Sequence, residues 1–230
     1  MRTTHRKCNS HTIDHSPFPP GFFARTDPSP DAAFYSFERF VTHIDDTAIA
    51  AVSALYDRLI LDRHDDVSVL DLCSSWISHF SRQPARLAAL GMNEAELAAN
   101  PMATDRVVAD LNLDPTLPYD DAVFDAVTCC VSVDYLTRPL DVFAEVARVL
   151  RPDGVFACTF SNRCFPTKAI SGWLSTDDHG RCAIVATYFA ETPGFGPPEA
   201  NLENPSSPGD PLFAVWALRA PLRPVTTHST

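Results

Sequence analysis

The chain has 230 residues, of which 45% are hydrophobic, and carries 29 acids against 18 lysines and arginines for a formal net charge of -11. That length suits one α/β domain with a substantial core and excludes two ordinary domains joined by a linker. No run approaches the roughly 18 apolar residues of a membrane helix, and acids spread along the whole length with no basic patch disfavour a nucleic-acid partner.

The seven cysteines include the adjacent pair Cys129 and Cys130 and otherwise lack CxxC spacing. Neither a zinc site nor a disulfide framework is expected, and no His and Cys cluster suggests another metal. A soluble protein of a reduced, cytoplasmic compartment fits this usage. Residues 1 to 13 place Arg2, Arg6 and Lys7 before the first acid, Asp14, a weak likeness to an organelle-import segment beside the plainer reading of an irregular terminus.

Residues 1–34 form a Pro-rich arm, with Pro17, Pro19, Pro20, Pro28 and Pro30 set among Phe18, Phe22 and Phe23. Residues 35–220 are expected to form the domain and residues 221–230 a flexible tail. Asp45 and Asp46 can cap a helix whose apolar positions are Ile49, Val52, Tyr56, Leu59 and Ile60. VSVLDL at 67–72 is a short, continuous apolar run suited to the buried middle of a parallel sheet. Further strand-like runs lie at 85–90, 106–111, 124–131 and 154–160, alternating with helical stretches. This alternation predicts a doubly wound, mostly parallel sheet.

Pro139 can open a helix with Leu140, Phe143, Val146, Val149 and Leu150 on one face. A last helix is expected around 181–190, followed by a Pro-rich loop from Pro197 to Pro211. The closing PLFAVWALR reads as a strand.

From Val67 to Phe195 the order of segments resembles the type 11 family of S-adenosylmethionine-dependent methyltransferases, which implies a class I, Rossmann-like fold: a doubly wound, mostly parallel sheet with an antiparallel C-terminal strand. The densest match is LPYDDAVFDAVTCCVSVDYLTRPLDVFAEVARVLRPDG, residues 117–154, which keeps the family's spacing through Phe124, Asp125, Glu145, Arg148, Leu150 and Gly154. The resemblance implies S-adenosylmethionine as cofactor and methyl transfer to a small-molecule acceptor. It places Asp110 and Leu111 beside the adenine, where Asp110 otherwise serves as a cap at a strand end. It places Cys129 and Cys130 near the methionine part, where buried cysteine as a small hydrophobe is the alternative. Asp134 and Tyr135 fall where related enzymes face the acceptor, a carboxylate there taking or orienting a proton; Asp134 capping a turn is the other reading. Asn162 and Arg163 open the loop after the fifth strand, where the family builds acceptor pockets.

Two positions depart from the family. Its D-L-G-C-G-T-G turn reads DLCSSWI here, with Cys73, Ser75 and Ile77 at the glycine positions, and only Gly21 and Gly91 precede residue 154. Glycine serves in such turns because backbone amides approach the ligand closely and some conformations penalise a Cβ. Three replacements imply a different backbone path. The acid that accepts from the ribose hydroxyls after the second strand is also missing. LGMNEAEL puts Gly91 there and Asn93 at the helix cap, leaving Glu94 or Glu96 as substitutes only if the strand end shifts.

Asp71, Cys73, Ser74 and Ser75 then become the candidate cofactor contacts, with Ser78 and His79 as further polar groups. The leading expectation is a methyltransferase with a modified cleft. The alternative is a catalytically inactive scaffold whose cleft is filled by Trp76, the serines merely capping a following helix. Cysteine-based hydrolysis by Cys73 and His79 is disfavoured, since six residues along a short helix turn the two apart. A nicotinamide dehydrogenase would need a GxGxxG turn that the sequence lacks.

Overall fold

The computed structural model describes residues 17–221; the import-like segment and most of the C-terminal tail lie outside them. Seven strands form one sheet: β1 (Ser68–Leu72), β2 (Arg86–Gly91), β3 (Asp105–Val108), β4 (Phe124–Cys130), β5 (Leu150–Phe160), β6 (Glu199–Leu202) and β7 (Phe213–Leu218). Their order is β3-β2-β1-β4-β5-β7-β6. β1 to β5 pair in parallel, and β7 runs antiparallel to both β5 and β6. The central strands are apolar on both faces. Leu70, Leu72, Cys129, Phe156 and Cys158 supply one face, while Val67, Val69, Ala126, Val155 and Ala157 supply the other. A sheet buried on both sides needs helices on both sides, which is the doubly wound architecture expected from the sequence.

Helices α1 (Asp31–Phe34), α2 (Asp46–Tyr56), α3 (Glu94–Ala99), α4 (Pro139–Val149), α5 (Ser171–Leu174) and α6 (Asp178–Glu191) complete the fold. Asp45 caps α2 by accepting from the Ala48 amide at 2.9 Å. Asn93 caps α3 through Glu96 N–H at 3.0 Å, and Asp177 caps α6 through Gly180 N–H at 2.9 Å. Each cap satisfies an amide that the helix leaves unpaired. A π-helical turn over Asp57–Leu61 prolongs α2 and buries Ile60 and Leu61. α4 begins with Pro139 and covers the sheet with Leu140, Phe143, Val146 and Val149. Among the described residues no helix is long and apolar enough to cross a membrane.

Two expectations are corrected. No helix follows β1: residues 73–85 cross to β2 as an irregular segment, because the Asp71 carboxylate and the Ser53 hydroxyl take up its polar groups before a helical ladder can form. The Pro-rich stretch before β7 is not wholly loop. Glu199–Leu202 pairs with β7 from Glu199↔Trp216 to Leu202↔Phe213. This edge strand is largely exposed and lacks the apolar pattern that marks buried strands.

The arm from residue 17 is packed onto the domain. Phe18, Phe22 and Phe23 pack together and against the core, with the Phe18 ring 5.5 Å from that of Tyr188. Phe22 and Ala24 carbonyls accept from the amides of Gly172 and Ser171. Fully buried Lys168 lies 3.1 Å from Asp27 and 3.2 Å from Asp31, and it donates to the Ser29 carbonyl at 2.8 Å. Arg25 grips Asp31 with two contacts of 2.7 and 2.8 Å, and Asn112 donates to the same carboxylate at 2.8 Å. A buried ammonium is tolerated only when neutralised and hydrogen-bonded. These contacts fix the arm across the carboxyl edge of the sheet, where it becomes a wall of the site.

Candidate functional site

The loop after β1 keeps one feature of a glycine turn and abandons the rest. Cys73 holds the left-handed conformation, φ 53°, at a cost of about 1–2 kcal/mol for a residue with a Cβ. Ser75 and Ile77 are not in that region. From Cys73 the chain turns towards β2, and the Ser74 amide donates to the Leu90 carbonyl at 2.8 Å. The Ser74 carbonyl then lies so close to Gly91 that a Cβ there would stand 2.1 Å from it. Loop backbone therefore occupies the space into which an acid at position 91 would project.

Asp71 organises this path. Its Oδ2 accepts from Ser74 Oγ at 2.7 Å and Ser78 Oγ at 2.6 Å, and its Oδ1 accepts from Thr128 Oγ1 at 2.7 Å. Thr128 lies directly across from it on β4. Asn100, fully buried, donates to Ser78 Oγ and to the Ser75 carbonyl. Ser75 donates to Glu96 Oε2 at 2.5 Å, while the Arg39 amide donates to Glu96 Oε1 at 2.6 Å. The SSWIS segment is held by hydroxyl donors and carboxylate acceptors instead of by glycine conformations.

Between this loop, the ends of β2, β3 and β4, and the arm lies a cavity of about 290 Å³. It opens at the carboxyl edge of the parallel strands, the usual ligand position in such sheets. Trp76 does not fill it. The indole is half-buried, donates through Nε1 to the Val41 carbonyl at 3.2 Å and meets the Phe40 ring edge-on. Val131, at the end of β4, also lines the cavity at φ 45°. Left-handed backbone at a β-branched residue is a true outlier, and such strain concentrates at functional sites.

Of the sequence-derived candidates, Asp71, Cys73, Ser74, Ser75, Asp110, Leu111 and Tyr135 line the cavity. Cys129 and Asp134 do not; Cys129 lies behind Cys73, and its neighbour Cys130 reaches the wall instead. Asp110 Oδ1 accepts from the amides of Asn112 and Leu113, capping the turn after β3, while Oδ2 has no partner among the described residues. The arm contributes Asp31, the segment between it and α2 contributes Tyr35, Arg39 and His43, and the loop after β5 contributes Arg163, Cys164 and Phe165. Sequence reasoning found Arg163 and missed Asp31, Tyr35, Arg39 and His43, whose approach rests in part on contacts more than 100 residues apart, such as Lys168 to Ser29. Phe165 anchors an aromatic cluster with Phe34 at 5.3 Å, His43 at 5.3 Å and Tyr135 at 6.0 Å between centroids. The Arg39 guanidinium stands 4.6 Å from the Phe34 centroid.

Electrostatics separate the candidates by role. Contact with Cys129, together with burial, pushes the Cys73 thiol well above its ordinary range. A protonated thiol is a poor nucleophile, so the pairing with His79 is disfavoured on this ground and not because of a helix between them. Burial also raises the Tyr135 phenol, which stays protonated and accepts from the Phe165 amide at 2.8 Å. Burial pushes the Asp134 carboxyl up to about 7, and its Oδ2 has no partner among the described residues. Desolvation lowers both His43 and His79, favouring neutral imidazoles.

Residues 70–158 match the family model described as a methyltransferase domain. Over 75% of this chain and 99% of its own, the YcgJ protein of Bacillus subtilis superposes with a TM-score of 0.52 at 10% identity. Geranyl diphosphate C-methyltransferase of Streptomyces coelicolor A3(2), solved with Mg2+, geranyl diphosphate and S-adenosyl-L-homocysteine, gives 0.53 at 13% identity, covering 74% of this chain and 77% of its own. The [4+2]-cyclase SpnF gives 0.51 at 15% identity over 74% and 80%. No curated protein matches the chain in sequence. The chain has the Rossmann-like class I methyltransferase fold.

Proposed function

We propose that the protein is an S-adenosylmethionine-dependent methyltransferase acting on a small-molecule acceptor. The observation that carries this reading is the cavity at the carboxyl edge of the sheet, with the Trp76 indole tied to the Val41 carbonyl and so kept from plugging it. The donor set suits the cofactor. Asp110 Oδ2 is without a partner among the described residues and can accept from an adenine amino group, Leu90 and Leu111 offer apolar walls, and Cys73 and Cys130 offer small, soft surfaces for the methionine end. When bound, S-adenosylmethionine supplies an electrophilic methyl group on a sulfonium sulfur.

The remaining work falls to the chain, and such reactions depend mainly on positioning and desolvation. Tyr135 and Phe165 form the face against which an acceptor would stack, and the protonated Tyr135 phenol orients a polar group. Neutral His43, on the cavity wall, takes a proton from an acceptor hydroxyl or amine. Asp134, adjacent to Tyr135 but outside the cavity wall, serves as a positioning residue. The six described cysteines are all free, which supports a reducing, cytoplasmic setting.

A second reading is favoured by the hydroxyls of Ser74 and Ser78, whose protons are committed to Asp71 and so are not offered to a ligand. In that reading the cleft belongs to a scaffold that has lost its cofactor. The fold does not decide between reactions, since the same architecture supports a cyclase by name. Titration with S-adenosylhomocysteine in a calorimeter does. We expect saturable heat with a dissociation constant below about 1 mM; no heat at millimolar ligand would favour the scaffold.

A further inference from the structure

We propose that Glu96 is the ribose anchor of the cleft, its carboxylate accepting from the two vicinal hydroxyls of a nucleoside-bearing ligand. The inference rests on the reading of the cavity as a nucleoside cofactor site and names the residue that replaces the acid absent at Gly91.

Four carboxylates line the cavity: Asp31, Asp71, Glu96 and Asp110. Asp31 is engaged by Arg25, Lys168 and Asn112. Asp71 accepts from three hydroxyls, two of them on a single oxygen. Asp110 belongs to the end of β3 and uses one oxygen to cap its turn. Glu96 differs from all three. A carboxylate oxygen has two lone pairs, and each Glu96 oxygen engages one: Oε2 with Ser75 Oγ and Oε1 with the Arg39 amide. One acceptor position is left on each oxygen, side by side, which matches two adjacent hydroxyl donors.

The position fits as well. The loop has moved over the end of β2 so that the Ser74 carbonyl closes the space before Gly91, and the next loop residue, Ser75, holds the Glu96 carboxylate. Loop and acid have thus exchanged places: backbone stands where the acid's side chain would begin, and the carboxylate arrives from the first turn of α3. The side chain is 9% exposed and pinned from two sides, so little conformational freedom is lost on binding.

The test uses the full chain and calorimetric titration with S-adenosylhomocysteine, adenosine and 2′,3′-dideoxyadenosine. In the wild type adenosine should bind about ten-fold more tightly than its dideoxy counterpart. Glu96→Gln keeps both internal contacts, its carbonyl accepting from Arg39 and its amide donating to Ser75, so Tm should stay within about 2 °C. The preference for adenosine should nevertheless collapse. A preference that survives in Glu96→Gln overturns the assignment. So does a wild type that binds S-adenosylhomocysteine but treats the two nucleosides alike, an arm that does not depend on the variant folding; the cofactor reading would then stand without Glu96. Failure of all three ligands to bind the wild type overturns both.

Discussion

Gly91→Asp, which restores the acid at its family position, lowers the stability of this protein by about 3 kcal/mol. The backbone at Gly91 does not lie in the left-handed region, so the cost comes from space alone. A Cβ would stand 2.1 Å from the Ser74 carbonyl oxygen, 3.1 Å from its carbon and 3.2 Å from Leu97 Cδ2. Two of those atoms are backbone, fixed by the Ser74 to Leu90 hydrogen bond and by the clasp of Asp71 on Ser74 and Ser78. To admit the side chain the loop must leave, exposing Ser75, Asn100 and Glu96 to unmade hydrogen bonds. For a chain of this size the loss corresponds to a fall in Tm of roughly 6–12 °C, measurable by thermal unfolding. Gly91→Ala should produce most of the same fall, because the clash begins at Cβ. Wild-type stability in either variant would mean that the loop path is not set by its approach to β2.

Asp134→Asn makes the protein more stable at pH 8 than the wild type and leaves it unchanged at pH 4. Burial pushes the folded carboxyl up to about 7, against an ordinary value near 3.8, so the folded chain keeps a proton that the unfolded chain has released. Stability from this group is complete below the unfolded value, declines as pH rises between about 4 and 7, and levels off above. Each tenfold difference in proton affinity between the folded and unfolded chain is worth about 1.4 kcal/mol, so the effect approaches about 4 kcal/mol at pH 8. Asparagine has nearly the same shape without the charge, and it removes a buried carboxylate whose Oδ2 has no partner among the described residues. Denaturant unfolding of both proteins at pH 4, 6 and 8 checks the slope. Equal stability at all three would mean that Asp134 titrates normally. Loss of turnover with this gain in stability would assign Asp134 to positioning Tyr135.

Local rules made most of the sheet readable. β1, β4 and β5 are apolar on both faces, and Asp45 and Asn93 announce their helices by chemistry that acts within three residues. Pro139 marks the start of α4 for the same reason. β6 escaped because an exposed edge strand, EANL, carries no buried face to pattern it. The helix expected after β1 failed to form because Asp71 at the end of β1, together with Asn100 and Glu96 from beyond β2, competes for the loop's polar groups. Propensity does not contain those partners. Cys73, Ser74, Ser75, Asp110 and Tyr135, to which the family resemblance pointed, line the cavity. His43 and Arg39 could not be found this way, since they reach the cavity through long-range contacts of the arm and the segment after it, such as Lys168 to Asp31, Asn112 to Asp31 and the Arg39 amide to Glu96. Glu96 stood in view, but its meaning depends on the closeness of Ser74 to Gly91, which no spacing reveals.

Loss of the glycines therefore does not by itself mean loss of the site. Cys73 preserves the first left-handed turn, and a hydroxyl-to-carboxylate clasp supports what glycine conformations support elsewhere. We propose that the resulting cleft accepts S-adenosylmethionine without Trp76 standing in its way. A crystal structure of the protein grown with millimolar S-adenosylhomocysteine tests it most directly. The ligand is expected in the cavity with its adenine amino group on Asp110 and the Trp76 indole still donating to the Val41 carbonyl. A ligand-free cavity filled by a rotated Trp76 would contradict it.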